Sequence, residues 1–328
     1  MVRPPLAAAM TCNWKARKRQ GGELLVALAF YLLIFCSFRL AAAASPPGEP
    51  GEPSRATWVW NTHLLLQPKG QEDLLDFCRS PRIHTLYLYA YNVSPPMDKV
   101  YRDFNHQAHR VGLMVHALGG DPRWGQPRYH AVSLAWIEAI RKFNAQATRE
   151  ERFDGVHTDV EVYLLSKSWK EEPAALLGGY LDLHAKIADT LRGDREPMLL
   201  GVDIPFWFDD DPAWRILWRG EIKPPSYHIL DTADTITVLA YRNTADGDNG
   251  TIRLVSLEME YADRIGKKVM IGQETQENLF PPYVTFGGGS CETMEGELKK
   301  VFYAVGRRHS FGGFAIHHYE SYRKLCGD

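Results

Sequence analysis

The sequence predicts an α/β protein built as a single (β/α)8 barrel, and three observations lead to this prediction. Short apolar segments alternate with helical patterns from Thr57 onward, which is typical of a parallel sheet with crossover helices. Eight strand candidates fit into residues 57–328, a usual length for such a barrel. Polar residues collect at the carboxyl ends of these strands, which is where barrels of this kind carry their active sites.

The predicted elements follow one another in regular order. The strands are Thr57–Asn61, Thr85–Asn92, Leu113–Leu118, Gly155–Glu161, Met198–Ile204, Ile236–Asn243, Lys268–Glu274 and Gly313–Tyr319. Helical patterns separate them at Glu72–Arg79, Met97–Val111, Val132–Arg149, Pro173–Leu191, Thr251–Ile265 and Glu292–Arg308, with an irregular segment at Asp211–Leu230. In the third of these helices, for example, apolar residues recur at helical spacing, so one face should pack on the barrel.

The first 56 residues predict targeting and tethering. A basic region precedes an apolar run over residues 24–38, and small residues of the cleavage-site kind follow at 41–44. We expect residues 1–44 to be a cleaved secretory signal. If they are not cleaved, residues 24–38 would provide membrane anchorage, as in a type II membrane protein with a lumenal or extracellular catalytic domain. Residues 45–56 are rich in Pro and Gly and predict a linker before the domain at 57–328.

Charge and cysteine content narrow the function further. Without residues 1–44 the chain keeps 32 basic and 39 acidic residues, a net charge of −7, which argues against a nucleic acid partner. The domain contains Cys78, Cys291 and Cys326, so at most one disulfide can form within it, and the sequence leaves the pair open. The sequon at Asn249 predicts a glycan acceptor if the chain is secreted.

The fourth strand carries the strongest catalytic candidates. His157, Asp159 and Glu161 alternate within the predicted strand, so they should share one face. Glycoside hydrolysis needs one carboxylic acid to protonate the leaving oxygen and a second group to stabilise or attack the sugar. Glu161 suits the acid, and the charge of Asp159 would tune it. The structural alternative is that both carboxylates form salt bridges at the barrel mouth.

Other strand ends supply further candidates. Glu274 ends the seventh strand and could be a second catalytic carboxylate, or it could form an ion pair with Arg242. Together with His157, the predicted substrate-binding residues are Trp60, His116, Asp203, Tyr241, Arg242 and His317. Aromatic rings such as that of Trp60 can stack against sugars. The chain contains neither metal-ligand spacing nor a GxGxxG or GxSxG motif, so we predict no metal and no cofactor.

Three motifs are similar to those of a known family. Residues 154–161, DGVHTDVE, resemble the fourth-strand motif DGxDxDxE of the family 18 chitinase-like glycoside hydrolases, which are (β/α)8 barrels. Residues 117–120, ALGG, are similar to the third-strand motif SxGG of that family. Residues 239–242, LAYR, are similar to its sixth-strand motif MxYD.

This resemblance implies roles for particular residues. Glu161 would be the general acid, and an N-acetyl group of the substrate, held by Asp159 and Tyr241, would act as the nucleophile. His157 and Arg242 stand where the family has aspartates, and His317 stands near a position that is usually tryptophan.

A second resemblance involves the seventh strand. An acid/base on the fourth strand and a nucleophile on the seventh is the arrangement of retaining clan A glycosidases, which Glu161 and Glu274 resemble. Carboxyls about 5.5 Å apart would allow direct nucleophilic attack.

We therefore predict a glycoside hydrolase whose partner is a carbohydrate substrate, a polysaccharide or oligosaccharide. Two alternatives stay open. One is a catalytically inactive, chitinase-like carbohydrate-binding barrel. The other is a metal-dependent hydrolase that uses His157, Asp159 and a histidine of the eighth strand.

Overall fold

The computed structural model describes residues 52–80, 82–209 and 214–327. The predicted leader, including the apolar run at 24–38, lies outside these residues. Within the described ranges, no helix is long and apolar enough to cross a membrane.

Eight parallel strands close into a barrel, which confirms the predicted fold class. The barrel strands are β1 (Arg55–Val59), β2 (Ile83–Tyr89), β3 (Met114–Gly119), β4 (Gly155–Thr158), β5 (Leu199–Pro205), β8 (Thr235–Leu239), β9 (Lys268–Glu274) and β10 (Phe311–His317). Each strand pairs with its predecessor in this order, and β10 pairs with β1. Strands β8, β9 and β10 are thus the sixth, seventh and eighth of the barrel.

Ten helices are found in the described part of the chain, and most lie between barrel strands. They are α1 (Pro68–Arg79), α2 (Met97–Arg110), α3 (His130–Ala145), α4 (Ser166–Glu171), α5 (Pro173–Arg192), α6 (Pro225–Thr232), α7 (Thr251–Leu254), α8 (Ser256–Ile265), α9 (Cys291–Val305) and α10 (Tyr319–Cys326). Proline occupies the first turn of α1, α5 and α6, where its missing N–H has no intrahelical partner to lose. The Ser290 side chain caps α9 by accepting a hydrogen bond from the Thr293 N–H.

Two apolar regions hold the barrel together. Outward-facing Val, Ile and Leu residues of the strands pack with the helices into one large core. A smaller cluster fills the inside of the barrel and includes Trp58, Tyr87, Leu118 and Met270. The interior is therefore packed with side chains, and an open site can form only at its mouth.

Several predicted boundaries need correction. The fourth strand ends at Thr158 instead of Glu161, and the first strand begins at Arg55, two residues earlier than predicted. The predicted helix at 251–265 is two helices interrupted at Val255. The irregular segment contains α6 and an antiparallel hairpin of β6 (Ile216–Trp218) and β7 (Glu221–Lys223). The sequence did not predict α10.

One disulfide joins the start of α9 to the end of α10. It links Cys291 to Cys326, and Cys78 is a free, buried cysteine. The chain segment between the two cysteines contains β10, the strand that ends with His317.

Candidate active site

The acid candidates lie just beyond the fourth strand, where the chain leaves the sheet. The Asp159 N–H still donates to the carbonyl of Gly119 at 3.0 Å, and Glu161 then begins a 3-10 turn, Val162–Leu164. A Cβ on Gly120 would lie 1.9 Å from the Asp159 carbonyl oxygen, so only glycine allows this approach. The predicted alternation therefore stops at Asp159, and a turn positions Glu161.

Asp203 of β5 is a buried carboxyl that side chains of β1 and β4 hold. Its Oδ2 accepts a hydrogen bond from the Trp58 indole N–H at 3.0 Å, and its Oδ1 lies 2.7 Å from His157 Nε2. Burial raises the pKa of Asp203 well above its ordinary value, and the Trp58 N–H opposes this effect. Asp203 was predicted to bind substrate, but the structure instead joins it to Trp58 and His157.

His157 is fully buried under the site. Its ring stacks on Tyr87 with centroids 3.7 Å apart, and a Cβ on Gly201 would come within 2.4 Å of its Nδ1. Burial lowers the pKa of His157 to about 3, so the ring is neutral. Its Nδ1 has no hydrogen-bond partner among the described residues, and an unpaired N–H costs free energy, so we assign the proton to Nε2, which donates to Asp203.

Asp159 has a buried carboxyl oxygen that accepts no hydrogen bond from the described residues. This oxygen is Oδ1. Burial raises the pKa of Asp159 well above its ordinary value, and the negative charges of Asp203 and Glu161 raise it further. Burial and the neighbouring charges therefore favour the protonated form of Asp159.

Tyr241 faces the same group of acids. Burial raises its pKa well above the usual value, and the charges of Glu274, Asp203, Asp159 and Glu161 act in the same direction. The phenol therefore keeps its proton and can donate a hydrogen bond at the mouth. Tyr241 thus lies within electrostatic range of Glu161, Asp159 and Glu274.

Glu274 is fixed by hydrogen bonds to both of its carboxylate oxygens. Oε1 accepts from the backbone N–H groups of Thr275 and Gln276 at 2.8 and 2.7 Å, and Oε2 lies 2.8 Å from His317 Nδ1. The indole N–H of Trp60 can only donate, and it lies 3.0 Å from His317 Nε2. His317 therefore accepts from Trp60 and donates from Nδ1 to Glu274.

Two predicted substrate-binding residues lie away from the acids. Arg242 donates to Asn249 Oδ1 and to the Tyr241 carbonyl, and its guanidinium lies over the rings of Phe206 and Tyr283. The predicted ion pair between Arg242 and Glu274 is absent from the contacts of these described residues.

His116 is 3% exposed and lies beside Gly155, one layer below His157 in the barrel. It does not line the mouth.

The metal-dependent alternative finds no support in the ligand geometry. Among the residues that the structure describes, one group of three ligand atoms lies close enough to hold an ion, and it comprises Cys291, Glu295 and Cys326. Both of these cysteines are in the disulfide. His157, Asp159 and His317 do not form such a group.

Sequence reasoning missed two residues that contact the site. Tyr163 donates its hydroxyl hydrogen bond to Glu161 Oε1, and Tyr87 provides the surface on which His157 stacks. The position of Tyr163, two residues after the proposed acid, was a usable signal. Tyr87 gave no such signal, because an inward aromatic residue on a strand looks like ordinary core.

Comparisons with known proteins agree with the barrel. No family model matches the sequence, and no curated protein matches it. Among solved structures, the fold is similar to the spore cortex-lytic enzyme SleL of Bacillus megaterium QM B1551, with a TM-score of 0.54 and 13% identity over 83% of this chain and 71% of that one.

SleL of Bacillus cereus gives a TM-score of 0.51 and 9% identity over 83% of this chain and 72% of that one. A GH18 chitinase from Pseudoalteromonas aurantia gives 0.49 and 12% identity over 84% and 96%. The barrel fold implied by the resemblance of the fourth-strand motif is confirmed.

Proposed function

We propose that this protein is a glycoside hydrolase acting on a polysaccharide or oligosaccharide, with Glu161 as the general acid. The observation that carries the proposal is the Asp159 carboxyl, whose buried Oδ1 accepts no hydrogen bond from any described residue. A buried oxygen without a partner costs free energy, and a substrate donor at this position would remove that cost. Its place beside Glu161 and Tyr241, at the carboxyl ends of the strands, supports a catalytic role.

The same arrangement supports a particular nucleophile. Both oxygens of Glu274 already accept hydrogen bonds, three in all, so we assign Glu274 to the positioning of His317 and not to attack on the sugar. Asp159 and the Tyr241 hydroxyl can instead hold and polarise an acetamido group of the substrate, as in the family that the motif resembles. The proposed substrate therefore carries an N-acetyl group on the sugar whose bond is cleaved.

The test is a panel of glycans with and without acetamido groups, assayed with wild type, Glu161→Gln and Asp159→Asn. Removing a general acid lowers kcat by about 10²- to 10⁴-fold with little change in KM. Asp159→Asn should lose activity on acetamido substrates as well. If Glu161→Gln hydrolysed at the wild-type rate, the proposed acid would be wrong.

Three further measurements separate the alternatives. A 2-deoxy-2-fluoro glycoside traps glycosyl esters of a nucleophilic carboxylate, and it should leave Glu274 unlabelled. Activity that is lost with a chelator would favour the metal-dependent hydrolase. Binding of glycans without turnover of any of them would favour a carbohydrate-binding barrel.

A further inference from the structure

Among the described residues, one hydrogen-bond donor holds the carboxyl of Glu161. Glu161 lies outside β4 and starts the 3-10 turn, so the strand does not fix its side chain. Within the described residues, the one hydrogen bond to its carboxyl comes from the hydroxyl of Tyr163, which belongs to the same turn. The orientation of the proposed acid therefore depends on Tyr163.

Tyr163 is itself held from the far side by aromatic rings. Its ring meets Trp207 at 5.2 Å and Trp169 at 6.5 Å, both edge to face, and Trp169 stacks on Trp214 at 5.0 Å. Burial raises the pKa of Tyr163, and the charge of Glu161 raises it further, so its hydroxyl stays protonated and donates. A fixed donor thus points at the carboxyl of Glu161 from the side of the aromatic cluster.

The carboxyl of Glu161 depends on this one donor for its direction. Its Oε1 accepts the hydrogen bond from Tyr163, and no other described residue donates to either of its oxygens. Removing the Tyr163 hydroxyl would therefore leave the carboxyl free to rotate about its own side-chain bonds.

We propose that Tyr163 is a positioning residue, which holds the Glu161 carboxyl in the orientation that lets it protonate the leaving oxygen. The assignment of a catalytic task to this effect rests on the proposed function. The effect on the carboxyl itself does not, because it follows from the hydrogen bond alone.

The test compares Tyr163→Phe with Tyr227→Phe. Tyr227 is a matched control, because its hydroxyl donates to the Leu257 carbonyl and its ring stacks on Tyr261, on helices outside the barrel. The Glu161 carboxyl is followed by ¹³C NMR in protein labelled at glutamate, and Glu161→Gln identifies its signal. At pH 7 the chemical shift of this signal should change in Tyr163→Phe, because the carboxyl loses its hydrogen-bond donor, and it should equal the wild-type value in Tyr227→Phe.

A hydrolysis assay on the best substrate of the glycan panel completes the test. In Tyr163→Phe, kcat should fall by about 10-fold or more with little change in KM, and Tyr227→Phe should equal wild type. An unchanged chemical shift and an unchanged kcat in Tyr163→Phe would overturn the role of Tyr163 and leave the proposed glycosidase unaffected. A changed chemical shift without hydrolysis by wild type would support the role of Tyr163 and overturn the proposed function.

Discussion

Two buried histidines predict that the fold is lost in mild acid. His116 is 3% exposed, and neither of its ring nitrogens has a hydrogen-bond partner among the described residues. His184 is fully buried between the Tyr180 carbonyl, 2.8 Å from Nδ1, and the Thr158 hydroxyl, 3.0 Å from Nε2. The neutral ring of His184 satisfies both contacts, with Nδ1 donating and Nε2 accepting. A second proton on His116 has no acceptor in place. A second proton on His184 removes the hydrogen bond that Thr158 donates and puts a charge in a fully buried place.

The size of the effect follows from the pKa values. Burial lowers the pKa of His116 to about 4 and that of His184 to about 4, against an ordinary value of about 6.5 in the unfolded chain. The unfolded state therefore binds more protons between pH 6.5 and 4. The stability is fully present above pH 6.5 and falls as the pH drops toward 4. Between pH 7 and pH 4, each ring should lower the free energy of unfolding by about 3 kcal/mol. This is a large share of the unfolding free energy of a typical protein.

The perturbation that isolates one ring is His116→Leu, which keeps a similar volume and removes the titration. Urea unfolding followed by tryptophan fluorescence would be measured from pH 7 to pH 4.5. At pH 7 the variant should equal or exceed wild type, because no unpaired nitrogen remains buried. At pH 4.5 it should have gained about 2.5 kcal/mol relative to wild type.

Phe104→Leu is the control for this measurement. Phe104 is fully buried and does not titrate, so its variant should be less stable than wild type by the same amount at every pH. If wild type and His116→Leu lost stability in parallel between pH 6.5 and 4.5, the claim of a buried neutral ring would be refuted.

Three other outcomes are expected. The double variant Cys291→Ser/Cys326→Ser opens a link between residues 35 positions apart, and chain entropy gives a loss of about 3.8 kcal/mol in unfolding free energy. Urea unfolding measures it, and reduced wild type should unfold at the same urea concentration as the variant. Arg242→Met loses two ring contacts and two hydrogen bonds and should cost about 1–2 kcal/mol, against about 0.5 kcal/mol or less for Arg219→Met, whose guanidinium covers only Trp218. Protein from a eukaryotic secretory host should carry one N-linked glycan at Asn249, and mass spectrometry should show that Asn249→Gln lacks it. Asn92-Val93-Ser94 is a second sequon, but Pro95 follows it, so Asn92→Gln should keep the glycan mass.

The fold was predictable because the barrel depends on local patterns. A strand buried on both faces is a short apolar run, and eight such runs separated by helices admit few topologies. Strand β9, Lys268–Glu274, was predicted to the residue. The predicted boundaries were wrong where tertiary contacts decide the end of a strand. At Thr158, for example, β4 ends because the chain turns toward Glu161. The pairing of Cys291 with Cys326 was likewise undetermined, since it depends on α10, which the sequence did not predict.

The site was predictable in position and less so in contacts. Strand order places Asp159, Glu161, Tyr241 and Glu274 at one mouth, and the structure has them there. Which polar atoms pair is set by side-chain geometry across strands that are distant in sequence. Trp58 and Asp203 are separated by 145 positions, and no spacing rule connects them. Contacts of this kind hold His116 inside the barrel. They hold Arg242 against Asn249, Phe206 and Tyr283.

The contact between His157 and Asp203 explains how this chain tolerates a histidine where the resembling motif has an aspartate. Burial already raises the pKa values of Asp159 and Asp203 well above normal, and another carboxylate at position 157 would add one more acid in a buried place. The neutral ring of His157 adds no charge and supplies a hydrogen bond to Asp203 instead. The ring also needs more room than an aspartate, and Gly201 provides it, because any Cβ there would meet Nδ1. Histidine at position 157 therefore requires glycine at position 201. Gly201→Ala should displace the His157 ring and so weaken its hydrogen bond to Asp203.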